Sequence, residues 1–178
     1  GDHAPPQEAQ HTYIFRDLMH SHRPWLAAPP DGPQEQILYQ KGQLIGRGGC
    51  GRVYLGMNVR RGTLIAIKQV ELGLRRSDME ALDREVQLLR ELRHPRVVQY
   101  FGTNRSDTVL TVLLEYVPGG SLASLLRKFG AFREPVIRVY LMQILQGIEY
   151  LHRCQPPIVH GDIKAANILV AVNGDIKV

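Results

Sequence analysis

The chain has 178 residues, 44% of them apolar and 22% charged, which suits a single soluble domain with its own core and excludes a fibrous protein. Its net charge of +5 comes from scattered basic residues, with short clusters at Arg60-Arg61 and Arg75-Arg76, so a solvated surface is favoured over a nucleic-acid face. No apolar run reaches the length of a membrane span, no secretory pattern opens the chain, and two cysteines, Cys50 and Cys154, make no disulfide framework; a cytoplasmic, reducing setting is expected.

Residues 1–36 hold six of the eleven prolines, set among Gln, His and Ala, and are expected to form a poorly ordered extension. The chain does not begin with Met, which points to processing or an incomplete sequence. From Ile37 the pattern changes. Residues 38–45, 53–59 and 64–70 read as strands punctuated by glycines, with turn chemistry from Asn58 to Gly62. Ser77-Asp-Met-Glu80 fits a capping box, in which the Ser and Glu side chains satisfy orphan backbone donors at a helix start, worth about 1 kcal/mol. Leu82, Val86, Leu89 and Leu92 follow at helical spacing, and His94-Pro95 ends that run.

Two further strands are expected at Val97 to Phe101 and Val109 to Val117, after which Pro118-Gly-Gly120 breaks the pattern. Ser121 suits the cap of a short helix reaching Arg127 or Lys128. Pro135 suits the first turn of a long helix with an apolar stripe of Ile137, Leu141, Ile144, Ile148 and Leu151, stopped by Pro156-Pro157. Five strands and one helix therefore precede a mainly helical region. This is a two-lobed α+β layout, with 37–117 as the first lobe and 118–178 as the second.

Three groups of residues carry chemistry. Gly46-Arg47-Gly48-Gly49-Cys50-Gly51-Arg-Val53 fits G-x-G-x-x-G-x-V. Dinucleotide-binding folds share the core of that pattern, but there a helix starts at the loop. Here the loop joins two strands, an arrangement that lies over ATP phosphates because small residues let backbone N–H groups come close. Lys68 lies on the third strand, and its ammonium suits phosphate oxygens if held by a counter-ion, for which Glu85 on the capped helix is the obvious candidate. Singly, each of these is most often a surface charge. The most specific feature is His160-Gly-Asp162-Ile-Lys164-Ala-Ala-Asn167-Ile-Leu169. A carboxylate at Asp162 orients and deprotonates an incoming hydroxyl, Lys164 stabilises charge on a moving phosphoryl group, and the Asn167 amide oxygen is a hard Mg²⁺ ligand.

In their order, these motifs resemble the eukaryotic Ser/Thr protein kinase domain, and the stretch from Leu113 to His152 together with Asp162 to Val170 is similar to the MAP kinase kinase kinase group. The resemblance covers roughly four-fifths of the chain and is specific at family level. It implies ATP-dependent phosphoryl transfer to Ser/Thr hydroxyls of a protein substrate, a MAP kinase kinase being the class the group suggests, with ATP and Mg²⁺ as cofactors. By the same resemblance Asp162 is the catalytic base, Lys164 stabilises phosphate, and Asn167 is a metal ligand. Lys68 meets the α/β-phosphates and pairs with Glu85. Leu114 sits at the gatekeeper position, and Glu115 and Val117 offer backbone hydrogen bonds to adenine. Ile45, Val53, Ala66 and Leu169 sandwich the adenine ring, and Ser121 reaches the ribose. For the apolar members, simple core packing explains the same residues equally well.

Three departures stand out. Gly161 replaces the Arg of H-R-D, and glycine cannot make that residue's bidentate pair with an activation-loop phosphate. Cys50 takes the loop-tip place where an aromatic is common. The sequence stops at Val178, before the D-F-G motif that the resemblance puts next, so the fragment is expected to lack activity alone and to expose apolar surface on its long helix. The competing reading is a non-catalytic nucleotide-binding or scaffolding module. Lys68, Glu85, Asp162, Lys164 and Asn167 together favour the enzyme, and Lys164 disfavours a tyrosine kinase.

Overall fold

The computed structural model describes residues 12–13, 37–48, 51–72, 86 and 88–178. A two-residue strand, β1 (Thr12–Tyr13), comes first; the expectation of disorder for the rest of 1–36 lies outside the described residues, as do the capping box from Ser77 to Glu80 and Leu82. Then come β2 (Tyr39–Gly48), β3 (Gly51–Asn58), β4 (Leu64–Glu71), β5 (Tyr100–Arg105) and β6 (Val109–Glu115), which form one five-stranded antiparallel sheet in the order β2-β3-β4-β6-β5.

Side-chain alternation gives this sheet two different faces. On β4, Ile65 and Ile67 are buried and pack with Leu113 of β6, flanked by Ile37, Tyr39 and Tyr54. The intervening residues, Ala66 and Lys68, point to the other face. The β3–β4 turn is held by Asn58, whose Oδ1 accepts the N–H groups of Arg60 and Arg61, each at 3.1 Å.

The fourth strand begins later than the apolar pattern suggests: it is Tyr100–Arg105, not Val97 to Phe101. Val97 is 2% exposed but lies in the connection before the sheet, its N–H donated to His94 O, while Val98 N–H goes to Val178 O. Its burial comes from packing outside the ladder, which the apolar pattern alone cannot distinguish from strand burial. Residues 86 and 88–91 are helical, and Val86, Leu89 and Leu92 are all buried, as their spacing predicts.

The second half begins with α1 (Leu122–Phe129), capped by Ser121, whose Oγ accepts the Ser124 N–H at 3.2 Å. The long helix α2 (Glu134–Arg153) has Pro135 in its first turn and His152 and Arg153 in its last. Three short strands follow: β7 (Ile158–Val159), beside which β1 lies parallel, and the hairpin of β8 (Leu169–Val170) and β9 (Ile176–Lys177).

One core joins the two halves. Val86, Leu89, Leu110 and Val112 on the sheet side pack with Leu151, Ile168, Val170 and Ile176 on the helical side. The stripe of α2 reaches that core only through its C-terminal half. Leu151 is fully buried and Ile144 packs against the core, but Ile137 and Leu141 are 41% and 52% exposed, and Met142 and Leu145 are exposed beside them. Leu151→Ala is expected to cost about 2–5 kcal/mol in urea unfolding of this chain, while Leu141→Ala stays within about 0.5 kcal/mol. Equal losses at the two positions would show that the exposed half of α2 is covered in solution.

Candidate active site

The sheet face that carries Lys68 is set by register. Val53, Lys68 and Val112 stand side by side across β3, β4 and β6, and Leu55, Ala66 and Leu114 form the next row. Paired residues share a face, so Val53, Ala66, Lys68 and Leu114 come together on one face of the sheet. At the end of the first row Gly46 pairs with Val53, Arg47 with Arg52 and Gly48 with Gly51, which closes the glycine hairpin. Gly51 has φ +118°, and a Cβ there would collide with the backbone oxygen of Gln69, so the hairpin lies directly on β4 only because this residue has no side chain. Ile45 falls at an irregularity between Leu44 and Gly46 and is 40% exposed. Gly49, Cys50 and Glu85 lie outside the described residues.

The sheet hands over to the helical half through Glu115, which ends β6, and Val117, which is buried. A turn over Pro118 and Gly119 leads to Ser121. From here a series of backbone hydrogen bonds runs to the His160–Leu169 loop: Leu122 N–H to Ile168 O, Ala123 N–H to Ala165 O and Val170 N–H to Gly120 O, each 2.8 Å. An isolated bridge pairs Ser121 with Leu169. These two predicted site residues, 48 positions apart, are therefore neighbours in the fold.

The loop itself is organised on Asp162. Its Oδ2 accepts the Asn167 amide N–H at 2.7 Å and lies 2.8 Å from the Lys164 ammonium. The Asn167 amide also donates to Asp162 O at 2.9 Å, and Asn167 N–H donates to Lys164 O at 2.8 Å. The Asp162 side chain is 14% exposed and that of Lys164 is 52% exposed, so the carboxylate is recessed while the ammonium reaches solvent. Asn167 spends its amide N–H groups on Asp162, and its Oδ1 accepts no hydrogen bond among the described residues. That oxygen is of the hard type a divalent cation takes.

His160 is buried, and burial pushes its pKa down to about 4 against the opposing pull of the Asp162 charge. It stays neutral and accepts the Asp162 N–H on Nδ1 at 3.4 Å. Gly161 follows with φ +75°, in the left-handed region that glycine enters without strain.

One contact was invisible in the sequence. Glu115 enters the expected site by its backbone, yet its carboxylate is taken by Lys177, 2.8 Å away, and nothing in the spacing of two residues so distant along the chain signals it. A cavity of about 790 Å³ lies elsewhere, between Ile37, Tyr39, Arg90, Tyr100 and Phe101, and shares no residue with the candidate site.

A glycine hairpin beside a sheet-borne lysine, linked through a hinge to an Asp–Lys–Asn loop, is the arrangement of the two-lobed kinase-type fold. The family model "Protein kinase domain" matches residues 39–178, and the chain belongs to that family. It is 49% identical over 84% of its length to mitogen-activated protein kinase kinase kinase 2 of Arabidopsis thaliana, and 50% identical over 84% to mitogen-activated protein kinase kinase kinase ANP1 of the same plant. Mitogen-activated protein kinase kinase kinase A of Dictyostelium discoideum is 44% identical over 94% of the chain. The chain spans 24%, 22% and 18% of the lengths of these three relatives. The fold is thus a partial protein-kinase fold, and protein kinases as a family use ATP and Mg²⁺. No helix among the described residues is long and apolar enough to cross a membrane.

Two outcomes follow from the loop. Because the folded His160 binds its proton only near pH 4 and an unfolded His near 6.5, its contribution to stability is complete above about pH 6.5 and is lost as pH falls towards 4, by up to about 3 kcal/mol. Urea midpoints measured from pH 7 to pH 4 should fall less steeply for His160→Gln than for the wild type. Gly161→Ala should cost about 1–2 kcal/mol, since a Cβ is strained at that φ; an unchanged urea midpoint would mean that the loop relaxes out of the left-handed conformation.

Proposed function

We propose that this chain is the ATP-binding and catalytic-loop portion of a Ser/Thr protein kinase working at the MAP kinase kinase kinase level, with a MAP kinase kinase as its protein substrate. The observation that carries the reading is the recessed Asp162 carboxylate, held by Lys164 and Asn167 on a loop bonded to the start of α1. The names of the relatives supply the cascade level.

In this reading the substrate hydroxyl is oriented by Asp162 and gives it its proton, while the hydroxyl oxygen attacks the γ-phosphorus and the bond to the β–γ bridging oxygen breaks. Lys164 spreads the charge that develops on the moving phosphoryl group. Lys68 neutralises the α/β-phosphates, with Glu85 as its counter-ion. The backbone N–H groups from Gly46 to Gly51 lie over the phosphates. Adenine stacks between Ile45, Val53 and Ala66 on one side and Leu169 on the other, with Leu114 behind it, the backbone of Glu115 and Val117 at its edge, and Ser121 at the ribose. Half-exposed apolar side chains on this face suit a flat ring, since burying it removes their remaining area from water at roughly 25 cal/mol per Å². Mg²⁺ bound with ATP would supply neutralisation of phosphate charge, and Asn167 Oδ1, which accepts no hydrogen bond among the described residues, fits it as a ligand.

Gly161 brings no guanidinium to the loop, so the position of Asp162 draws on Asn167, Lys164 and the α1 backbone rather than on a phosphate pair at residue 161. The non-catalytic alternative gains no support from the loop geometry, which keeps the carboxylate recessed and partnered.

Asp162→Asn in the full-length protein should lower phosphate transfer to a MAP kinase kinase by at least about 100-fold while leaving ATP binding within a few-fold. The measurement is radiolabel transfer alongside nucleotide titration. Undiminished transfer would overturn the catalytic assignment, and ATP binding with no transfer by the wild type would favour the non-catalytic module.

A further inference from the structure

The residues that follow the catalytic loop return to the hinge. Lys177 of β9 places its Nζ 2.8 Å from Glu115 Oε2, and the two side chains are 15% and 28% exposed. The same carboxylate oxygen accepts the Gln99 backbone N–H at 3.1 Å, and Glu115 N–H donates to Gln99 O at 2.8 Å. Glu115 is therefore held twice, by its backbone from the segment before β5 and by its charge from β9.

The strand that supplies this lysine is itself fixed. Arg96 pairs with Asp175 at 2.6 Å, and Gln143 Oε1 accepts the Ile176 N–H at 2.7 Å. Val178 donates its N–H to Arg96 O and accepts that of Val98. Lys177 also stands directly across from Leu169 in the β8–β9 hairpin. One residue thus joins the hinge strand ending at Glu115, which would edge an adenine ring, to the hairpin carrying Leu169, which would form one of the two walls around it.

An ion pair this far out of water differs from a surface pair. Solvent screens it less, and removing the lysine leaves a half-buried carboxylate with a single backbone N–H. The catalytic loop would feel the change little, because its own bonds run to α1 through Ala165 and Ile168.

We propose that Lys177 is a positioning residue for adenine recognition: by holding the Glu115 carboxylate it fixes the end of the hinge strand relative to Leu169, and so sets the gap that receives the base. This rests on the reading of Glu115 and Val117 as the adenine-facing hinge. Lys177 touches no nucleotide itself and acts through Glu115.

The test is made in the full-length protein. Lys177→Met should weaken binding of a fluorescent adenine nucleotide and raise KM for ATP by about fivefold to tenfold, with kcat within twofold, and Lys177→Arg should restore both to within twofold of the wild type. An unchanged KM in Lys177→Met, or a fall in kcat equal to the rise in KM, overturns the proposal. If the Met variant folds poorly, Lys177→Arg against Lys177→Gln decides, and equal affinities overturn it. A wild type that binds no adenine nucleotide would instead refute the hinge reading itself, whereas tight wild-type binding with indifferent variants refutes only the role of Lys177.

Discussion

Asp162 holds a carboxylate at 14% exposure, and a charge so far withdrawn from water persists only where donors replace the lost solvent. Lys164 and the Asn167 amide are those donors, and both come from the next five residues of the same loop. A loop that solvates its own carboxylate must keep its backbone fixed, and here the fixing comes from outside. The N–H groups of Leu122 and Ala123, near the start of α1, are donated into the loop at Ile168 and Ala165. These are the orphan donors that every helix start must place somewhere. Ser121 satisfies another of them, on Ser124. The cap of a short helix, the carbonyls of the loop and the position of one carboxylate are thus a single hydrogen-bonded unit, and the hinge enters it directly through Gly120 and Ser121.

The sheet supplies the opposing wall by a simpler rule. Strand alternation sends Ile65 and Ile67 to one side and Ala66 and Lys68 to the other. The fully buried pair anchors the register, since a slip by one residue would carry Ile67 into the cleft and Lys68 into the apolar cluster with Leu113. A charged residue on the cleft face therefore owes its placement to its two isoleucine neighbours as much as to its own chemistry. Gly51 then lets the phosphate hairpin rest on β4 with no side chain between them.

Sequence periodicity made this much legible because the determinants are local. Alternation over 64–70, the Ser121 cap, Pro135 in a first turn and the fixed spacing of Asp162, Lys164 and Asn167 each act within a few residues. Where a residue's burial depends on distant chain, the reading failed or fell silent. Val97 looked like a strand residue but is buried against other elements while its neighbour Val98 bonds to Val178. The expected exposed apolar surface of the long helix is found at Ile137 and Leu141, but the stripe by itself does not say that its C-terminal half is the part that meets the shared core. The strands of β7, β8 and β9 are two residues each, too short for any period to declare them. The Glu115–Lys177 pair joins positions that no motif links.

Gly161 shows how the two kinds of determinant meet. It stands between a buried, neutral imidazole and a partnered carboxylate, and the chain must turn there through φ +75°. A side chain at this point would bring a group able to reach beyond the loop, at the cost of strain in the left-handed region. Glycine removes both the strain and the reach. Among the described residues, Asp162 is held by His160 Nδ1 behind its N–H, by Lys164 and Asn167 on its carboxylate, by Asn167 on its carbonyl, and by α1 beneath the loop. In a loop built this way the geometry of the carboxylate draws on hydrogen bonds from the loop's own residues and on the backbone of α1, and none of these runs through a side chain at residue 161.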